Sequence, residues 1–303
     1  MKTVLLAMSR DELPEDLRAR VERVTRPIWD PHWTGGPGPR PEVETLVTAH
    51  TDPDLTATQL GALPGLRDIL TTSTAVDYID RDYCVRHGVR LHNTPDYTGS
   101  SVAEHAVALM LGVVRHLPRL DAAARSGAAT GGLVARELSG LVAGVVGAGG
   151  IGSRVAALAH GLGMRVLHVN RSRRDVPGSR QVELPELLAT ADVVFLTLPL
   201  AAGAGPVLGP AEFSLMKRDS VVVNISADGL IDFAALASAL TTGRIAGAGL
   251  DVMGDPARYA DLPNTVLTGM RGWYTREAVQ RRSRTWVDTL CALAEGRVVH
   301  RVL

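Results

Sequence analysis

Short apolar runs recur along the chain, separated by polar stretches with helical spacing, a rhythm that suits alternating strands and helices. KTVLLAM reads as a first strand and the stretch around Pro14–Val24 as a helix. VETLVTAH, a helix over Leu55–Leu63, LRDILTTST and VRLHNTP carry the alternation to Thr94. Pro27–Pro41 is so broken by Pro and Gly that it predicts a surface excursion. Ser101–Leu117 predicts one long apolar helix, capped by Ser100 or Ser101 and carrying Glu104 in its first turn.

Beyond residue 141 the strands become continuous apolar runs, as in parallel strands covered on both faces. Strands are predicted at Val142–Val146, Arg165–Asn170, Val193–Thr197, Ser220–Ile225, Gly247–Val252 and Thr265–Thr268. Helices fall at Ile151–Gly161, Leu184–Thr190, Ala211–Met216 and Phe233–Thr241, and the tail Thr275–Leu293 reads as one more. The expected fold is α/β: a doubly wound Rossmann nucleotide-binding domain over 99–278, inserted in a flavodoxin-like α/β domain made of 1–98 and 279–303.

A length of 303 residues suits two domains of about 150 each. The 32 Lys+Arg balance the 32 Asp+Glu and aromatics are only 4%, which argues against a nucleic-acid partner. Cys84 and Cys291 are far apart and form no CxxC pair, so neither a disulfide framework nor a metal site is expected. The start MKTVLLAMSRDELP meets charge too soon for a secretory signal. The longest apolar tract, VVFLTLPLAAGAGPVLG from Val193, contains two prolines and three glycines and is no membrane helix. No membrane association and a cytoplasmic location are expected.

The sharpest chemical signal is Gly147-x-Gly149-x-x-Gly152, set after a buried strand and opening a helix. Gly147 makes the tight turn, Gly149 admits a pyrophosphate to the backbone, and Gly152 permits close helix–strand packing. Gly150 and Ile151 begin the helix, whose N-terminus offers unpaired N–H groups to an anion. The second strand ends in Asn170, Arg171, Ser172, Arg173 and Arg174, with no Asp or Glu for a ribose 2′-hydroxyl. Arginines there can make bidentate bonds to a 2′-phosphate, which favours NADP(H), with NAD(H) the alternative.

The blocks TTSTAVDYIDRDYCVRHGVRLHNTP (71–95), SVAEHAVALMLGVVRHL (101–117) and RELSGLVAGVVGAGGIGSRVA (136–156) recur in one known family. So do MKRDSVVVNISADGLID (216–232), IAGAGLDV (245–252) and LPNTVLTGMRGWYTREA (262–278). In these, the chain resembles the D-isomer-specific 2-hydroxyacid dehydrogenases. The resemblance implies nicotinamide-dependent hydride transfer to a small molecule, and a homodimer built through the nucleotide-binding domain with the 101–117 helix contributing. It also implies cofactor roles for Thr197 and Pro199 beneath adenine and ribose, for Asn224 and Ile225 at a central strand end, and for Asp251 at the nicotinamide carboxamide.

The family's chemistry uses an arginine, a glutamate and a histidine, and here the correspondence breaks. Ala227 stands at the arginine position and Met270 at the histidine position, while Asp255 is the acidic residue nearest the glutamate position in a loop one residue short. Neither Ala227 nor Met270 can protonate an alkoxide or clamp a carboxylate. Arg271 and Asp228, each one residue along, and Tyr97 are the replacement candidates, with His105 and Tyr274 nearby. The reading is an NADP(H)-dependent oxidoreductase that delivers hydride to a ketone, imine or activated double bond, on a substrate less acidic than a 2-keto acid. The alternatives are an NADP(H)-binding pseudoenzyme acting as a sensor or interaction protein, and a D-2-hydroxyacid dehydrogenase with non-standard catalytic residues.

Overall fold

The computed structural model describes residues 1–36, 38–49, 54–200, 203–251 and 254–303. His50, Val252 and Met253, which fall in the expected strands and the short loop, lie outside the described residues, as do Pro37 of the expected excursion and Ala201 and Ala202 of the apolar tract.

Met1–Tyr97 and Arg276–Leu303 form one unit, and Thr98–Thr275 a second. The first begins with β1 (Thr3–Leu6), α1 (Glu15–Val24), β2 (Arg26–Trp29), β3 (Thr45–Thr48), α2 (Ala57–Gly61), β4 (Asp68–Thr71), α3 (Arg81–His87) and β5 (Arg90–His92). Its sheet runs β2-β1-β3-β4-β5, all parallel. Alternate residues of each strand face opposite sides, the period-2 consequence of the pleat. Leu5, Leu46 and Ile69 join Leu60, Tyr83 and Cys84 on one face. Val4, Leu6, Val47 and Leu70 meet Leu17, Val21, Trp286 and Leu290 on the other.

The second unit contains α4 (Gly99–Val114), α5 (Leu117–Ser126), β6 (Val142–Val146), α6 (Gly150–Gly161), β7 (Arg165–Val169), β8 (Ser179–Gln181) and α7 (Leu184–Thr190). It continues through β9 (Val193–Leu196), α8 (Pro210–Leu215), β10 (Val221–Asn224), α9 (Phe233–Thr241), β11 (Gly247–Asp251) and β12 (Thr265–Thr268), before α10 (Arg276–Ala294) returns to the first unit. Its seven parallel strands run β12-β11-β10-β9-β6-β7-β8, so the chain reverses direction between β6 and β9. Ligands of doubly wound sheets bind outside the carboxyl ends of the strands at such a reversal. Those ends are Val146 and Leu196, next to the glycine loop and Thr197.

Several expectations are corrected. Residues 27–29 of the expected excursion belong to β2, paired with β1 through Val4 and Pro27. Because β2 is the edge strand, Pro27 lacks an N–H without breaking a ladder on both sides. The long helix ends at Val114 and not at Leu117, and α5 follows after a left-handed His116 (φ 53°). Pro118 explains the break, since within a continuous helix its ring would meet the Val114 carbonyl. The cap position of α4 falls on Thr98, without a side-chain bond, and Glu104 lies beyond the first turn. Ser101 is buried, with its hydroxyl 2.8 Å from Thr275 Oγ1. Among the described residues no helix is long and apolar enough to cross a membrane.

Candidate functional site

The loop from β6 into α6 is shaped by three glycines with different constraints. Gly147 has φ +98°, a left-handed value that favours glycine, and a Cβ there would lie 2.7 Å from Leu198 Cβ. At Gly152 a Cβ would lie 2.1 Å from the Gly147 carbonyl oxygen. At Gly149, by contrast, no atom outside its own chain neighbours lies within 4 Å of a Cβ position, so the loop backbone faces open space. No side chain caps α6, leaving its first N–H groups directed toward that space. This is the chemistry of a pyrophosphate cradle, and the residues present fit one. Thr197 donates to the Gly147 carbonyl at 2.7 Å and holds the turn in shape. Arg154 lies one turn into α6 and donates to the Gly150 carbonyl at 2.9 Å, adding a cation at the loop. The sequence reading missed it, although its i+4 spacing from Gly150 was a usable signal.

Beside the loop lies a cavity of about 600 Å3 whose walls include Gly149, Val169, Asn170, Arg171, Thr197 and Pro199. Glu183 and Leu184 also line it and were not foreseen. Arg173 and Arg174 face a neighbouring polar cavity together with His168 and Gln181. Asn170 donates to the Ser172 carbonyl at 3.0 Å and so folds the arginine-bearing turn. None of Arg171, Arg173 and Arg174 makes an ion pair among the described residues, and Asp175 and Glu183 line the same cavity as Arg173 and Arg174.

The candidates on the substrate side divide by what each side chain already holds. Asn224 donates to the Ala227 carbonyl at 3.0 Å and accepts from Ser226 N–H at 3.0 Å, which fixes the turn carrying Ala227. Ile225 beside it is buried. Asp228 accepts from Gly254 N–H at 2.9 Å, and Asp255 accepts from Ala257 N–H at 2.9 Å, so both carboxylates shape the 254–259 segment. Tyr97 belongs to the first unit, where its carbonyl accepts two bonds from Arg281. Burial pushes its hydroxyl pKa up, against a smaller downward pull from Arg282. Met270 is left-handed (φ 53°), and Arg271 is exposed, its guanidinium carbon 5.2 Å from the Tyr274 ring centre. Asp251 is buried at the end of β11 and accepts from Thr268 Oγ1 at 2.7 Å, Arg271 N–H at 2.8 Å and Gly272 N–H at 2.9 Å.

A doubly wound sheet, a glycine cradle at its reversal and an adjoining cavity of about 600 Å3 define a dinucleotide-binding protein of the Rossmann type. The family follows from a family model and from a relative in sequence, and solved structures share the fold. A family model described as D-isomer specific 2-hydroxyacid dehydrogenase, NAD binding domain, matches residues 107–270. A glyoxylate reductase from Pyrococcus furiosus is 34% identical over 251 residues, covering 78% of this chain and 75% of that protein. Among solved structures, a glyoxylate reductase from Paecilomyes thermophila superposes with a TM-score of 0.87 at 26% identity, over 99% of this chain and 98% of that one. An acyclic imino acid reductase in complex with NADPH and D-Arg gives 0.84 at 27% identity, with both chains fully covered. The chain belongs to the D-isomer-specific 2-hydroxyacid dehydrogenase family.

Proposed function

We propose that this protein is an NADP(H)-dependent oxidoreductase that reduces a polarised ketone, imine or activated double bond, and that an imine is the acceptor its residues suit best. The observation that carries the reading is a well-formed dinucleotide site beside positions where the family's acid and clamp are replaced by Met270 and Ala227. When bound, the dinucleotide supplies a hydride. A ketone that accepts hydride becomes an alkoxide and must then be given a proton. A protonated imine becomes a neutral amine as its C=N electron pair moves onto nitrogen, and no protein acid is required. A thioether and a methyl group are adequate walls for that second reaction and inadequate donors for the first. The similarity to an imino acid reductase bound to NADPH supports the same choice.

Within this reading Gly147–Gly152 hold the pyrophosphate, with Arg154 beside them. Arg171, which lines the cavity with Glu183 but makes no ion pair among the described residues, meets the 2′-phosphate. Arg271 is the substrate-facing candidate whose charged group makes no ion pair among the described residues. It serves as an electrostatic anchor and not as a proton donor, because a guanidinium stays protonated at working pH. A homodimer formed through the second unit belongs to the same reading.

Titration of the protein with NADPH and NADH, alongside NADPH oxidation over keto acids, uncharged ketones, enones and imines, tests it. Arg171→Ala should weaken NADPH by about tenfold or more and NADH much less; equal losses overturn the phosphate assignment. Tight NADPH binding without turnover of any class would support the sensor reading instead.

A further inference from the structure

Met270 adopts a left-handed conformation that a non-glycine residue keeps only when its surroundings hold it there. The two N–H groups that follow it, of Arg271 and Gly272, converge on the Asp251 carboxylate at 2.8 and 2.9 Å. Successive N–H groups in such a turn form a concave anion receptor, and here the anion is a buried side chain of the protein itself. Gly272 has no room for a side chain, since a Cβ would lie 2.8 Å from Asp251 Oδ2 and 3.1 Å from His105 Cδ2.

The third donor to Asp251 is the Thr268 hydroxyl, at 2.7 Å, and that hydroxyl is 2.8 Å from His105 Nε2. A hydroxyl has one hydrogen to give and a carboxylate only accepts, so Thr268 gives its hydrogen to Asp251. Toward His105 it must then accept, which places a hydrogen on His105 Nε2. The result is a directed chain from His105 N–H to Thr268 O–H to Asp251, ending on the two N–H groups that flank the Arg271 side chain. It joins α4 to the carboxyl ends of β11 and β12, where ligands of this fold bind.

We propose that His105 is a positioning residue that acts through Thr268 and Asp251 to hold the 270–272 turn, and with it the guanidinium that meets the substrate. The positioning itself is independent of activity, and its consequence for substrate rests on the role of Arg271 given above. His105→Ala and Thr268→Val remove links of the chain, while His105→Gln and Thr268→Ser keep a donor and a hydroxyl at the same places.

Amide hydrogen exchange over residues 269–274 of the full chain reads the positioning directly. His105→Ala and Thr268→Val should raise exchange of the Arg271 and Gly272 amides by about tenfold or more, with His105→Gln and Thr268→Ser near wild type. Unchanged protection in His105→Ala, or equal loss in the Ala and Gln variants, overturns the proposal. The kinetic readout separates it from the assignment of Arg271. His105→Ala should raise the KM of the reduced substrate by about tenfold in the wild-type background and have no effect in Arg271→Ala. A full effect in both backgrounds means that His105 does not act through Arg271. An Arg271→Ala variant with unchanged KM rejects the role of Arg271 while the exchange result still stands.

Discussion

A methyl group at Gly152 would sit 2.1 Å from the Gly147 carbonyl oxygen and 2.6 Å from Thr197 Oγ1, whereas at Gly149 it would enter open space, where the proposed function puts the pyrophosphate. The two positions of one motif therefore make opposite predictions. Gly152→Ala should destabilise the fold by about 2 kcal/mol through overpacking, visible as a lowered Tm. Gly149→Ala should leave Tm close to wild type and weaken NADPH, visible by titration. Similar losses of Tm in both variants would contradict the assignment of Gly149 to the ligand. These glycines are legible in the sequence because their spacing follows a recognisable strand and opens a recognisable helix. The chain from His105 to Asp251 is not, since its members lie as far as 163 residues apart and meet only once the sheet has formed. Asp251 and His105 can each be singled out by inspection; Thr268, which links them, reads as an ordinary strand residue.

Among the elements, β4 and β5 carry a charge arrangement that makes the first unit sensitive to acid. Asp68 is fully buried at the start of β4, bound at 2.7 and 2.8 Å by Arg90 and at 3.1 Å by His92 Nε2, with Lys2 at 3.5 Å. Burial alone would raise its pKa. The hydrogen bonds from His92 and Arg90, with the charges of Arg90 and Lys2, outweigh that and hold the carboxyl well below the usual carboxylate range. A depressed folded-state pKa contributes stability that is fully present above the unfolded value, about 4, and is lost as pH falls through the folded value. Asp68→Asn should cost about 3 kcal/mol at neutral pH. That deficit should shrink below about pH 4, where the wild-type carboxyl also takes up its proton in the unfolded chain. Thermal denaturation across pH measures it, and a deficit independent of pH would contradict the account. Element type is well predicted where apolar runs are continuous, as at β6, β9 and β10. It fails at β2, where Pro27 masks an edge strand, and at the α4–α5 junction, where the apolar pattern runs past a proline that the backbone cannot follow.

At the scale of the whole molecule, α5 contains no buried residue, and Leu117 and Val134 are 53% and 84% exposed. An isolated ten-residue helix has little stability of its own in water, which supports the proposal that a second copy covers this region. Light scattering should then give twice the 32.1 kDa chain mass, and Leu117→Asp with Val134→Asp should shift it toward one chain; a wild-type monomer contradicts the dimer. The doubly wound α/β class, the glycine cradle and the family were all within reach of the sequence, because each rests on local pattern, whereas the order of the strands appears only in the folded sheet. The reaction was not, because it depends on what Met270, Ala227 and Arg271 present to a substrate in three dimensions. Reduction of an imine and of glyoxylate with NADPH deuterated at C4, read as kcat/KM and as product mass, tests the central claim most directly. The account predicts deuterium on the amine-bearing carbon and a preference for the imine of about a hundredfold or more. Glyoxylate reduced as efficiently, with deuterium delivered to its carbonyl carbon, would contradict it.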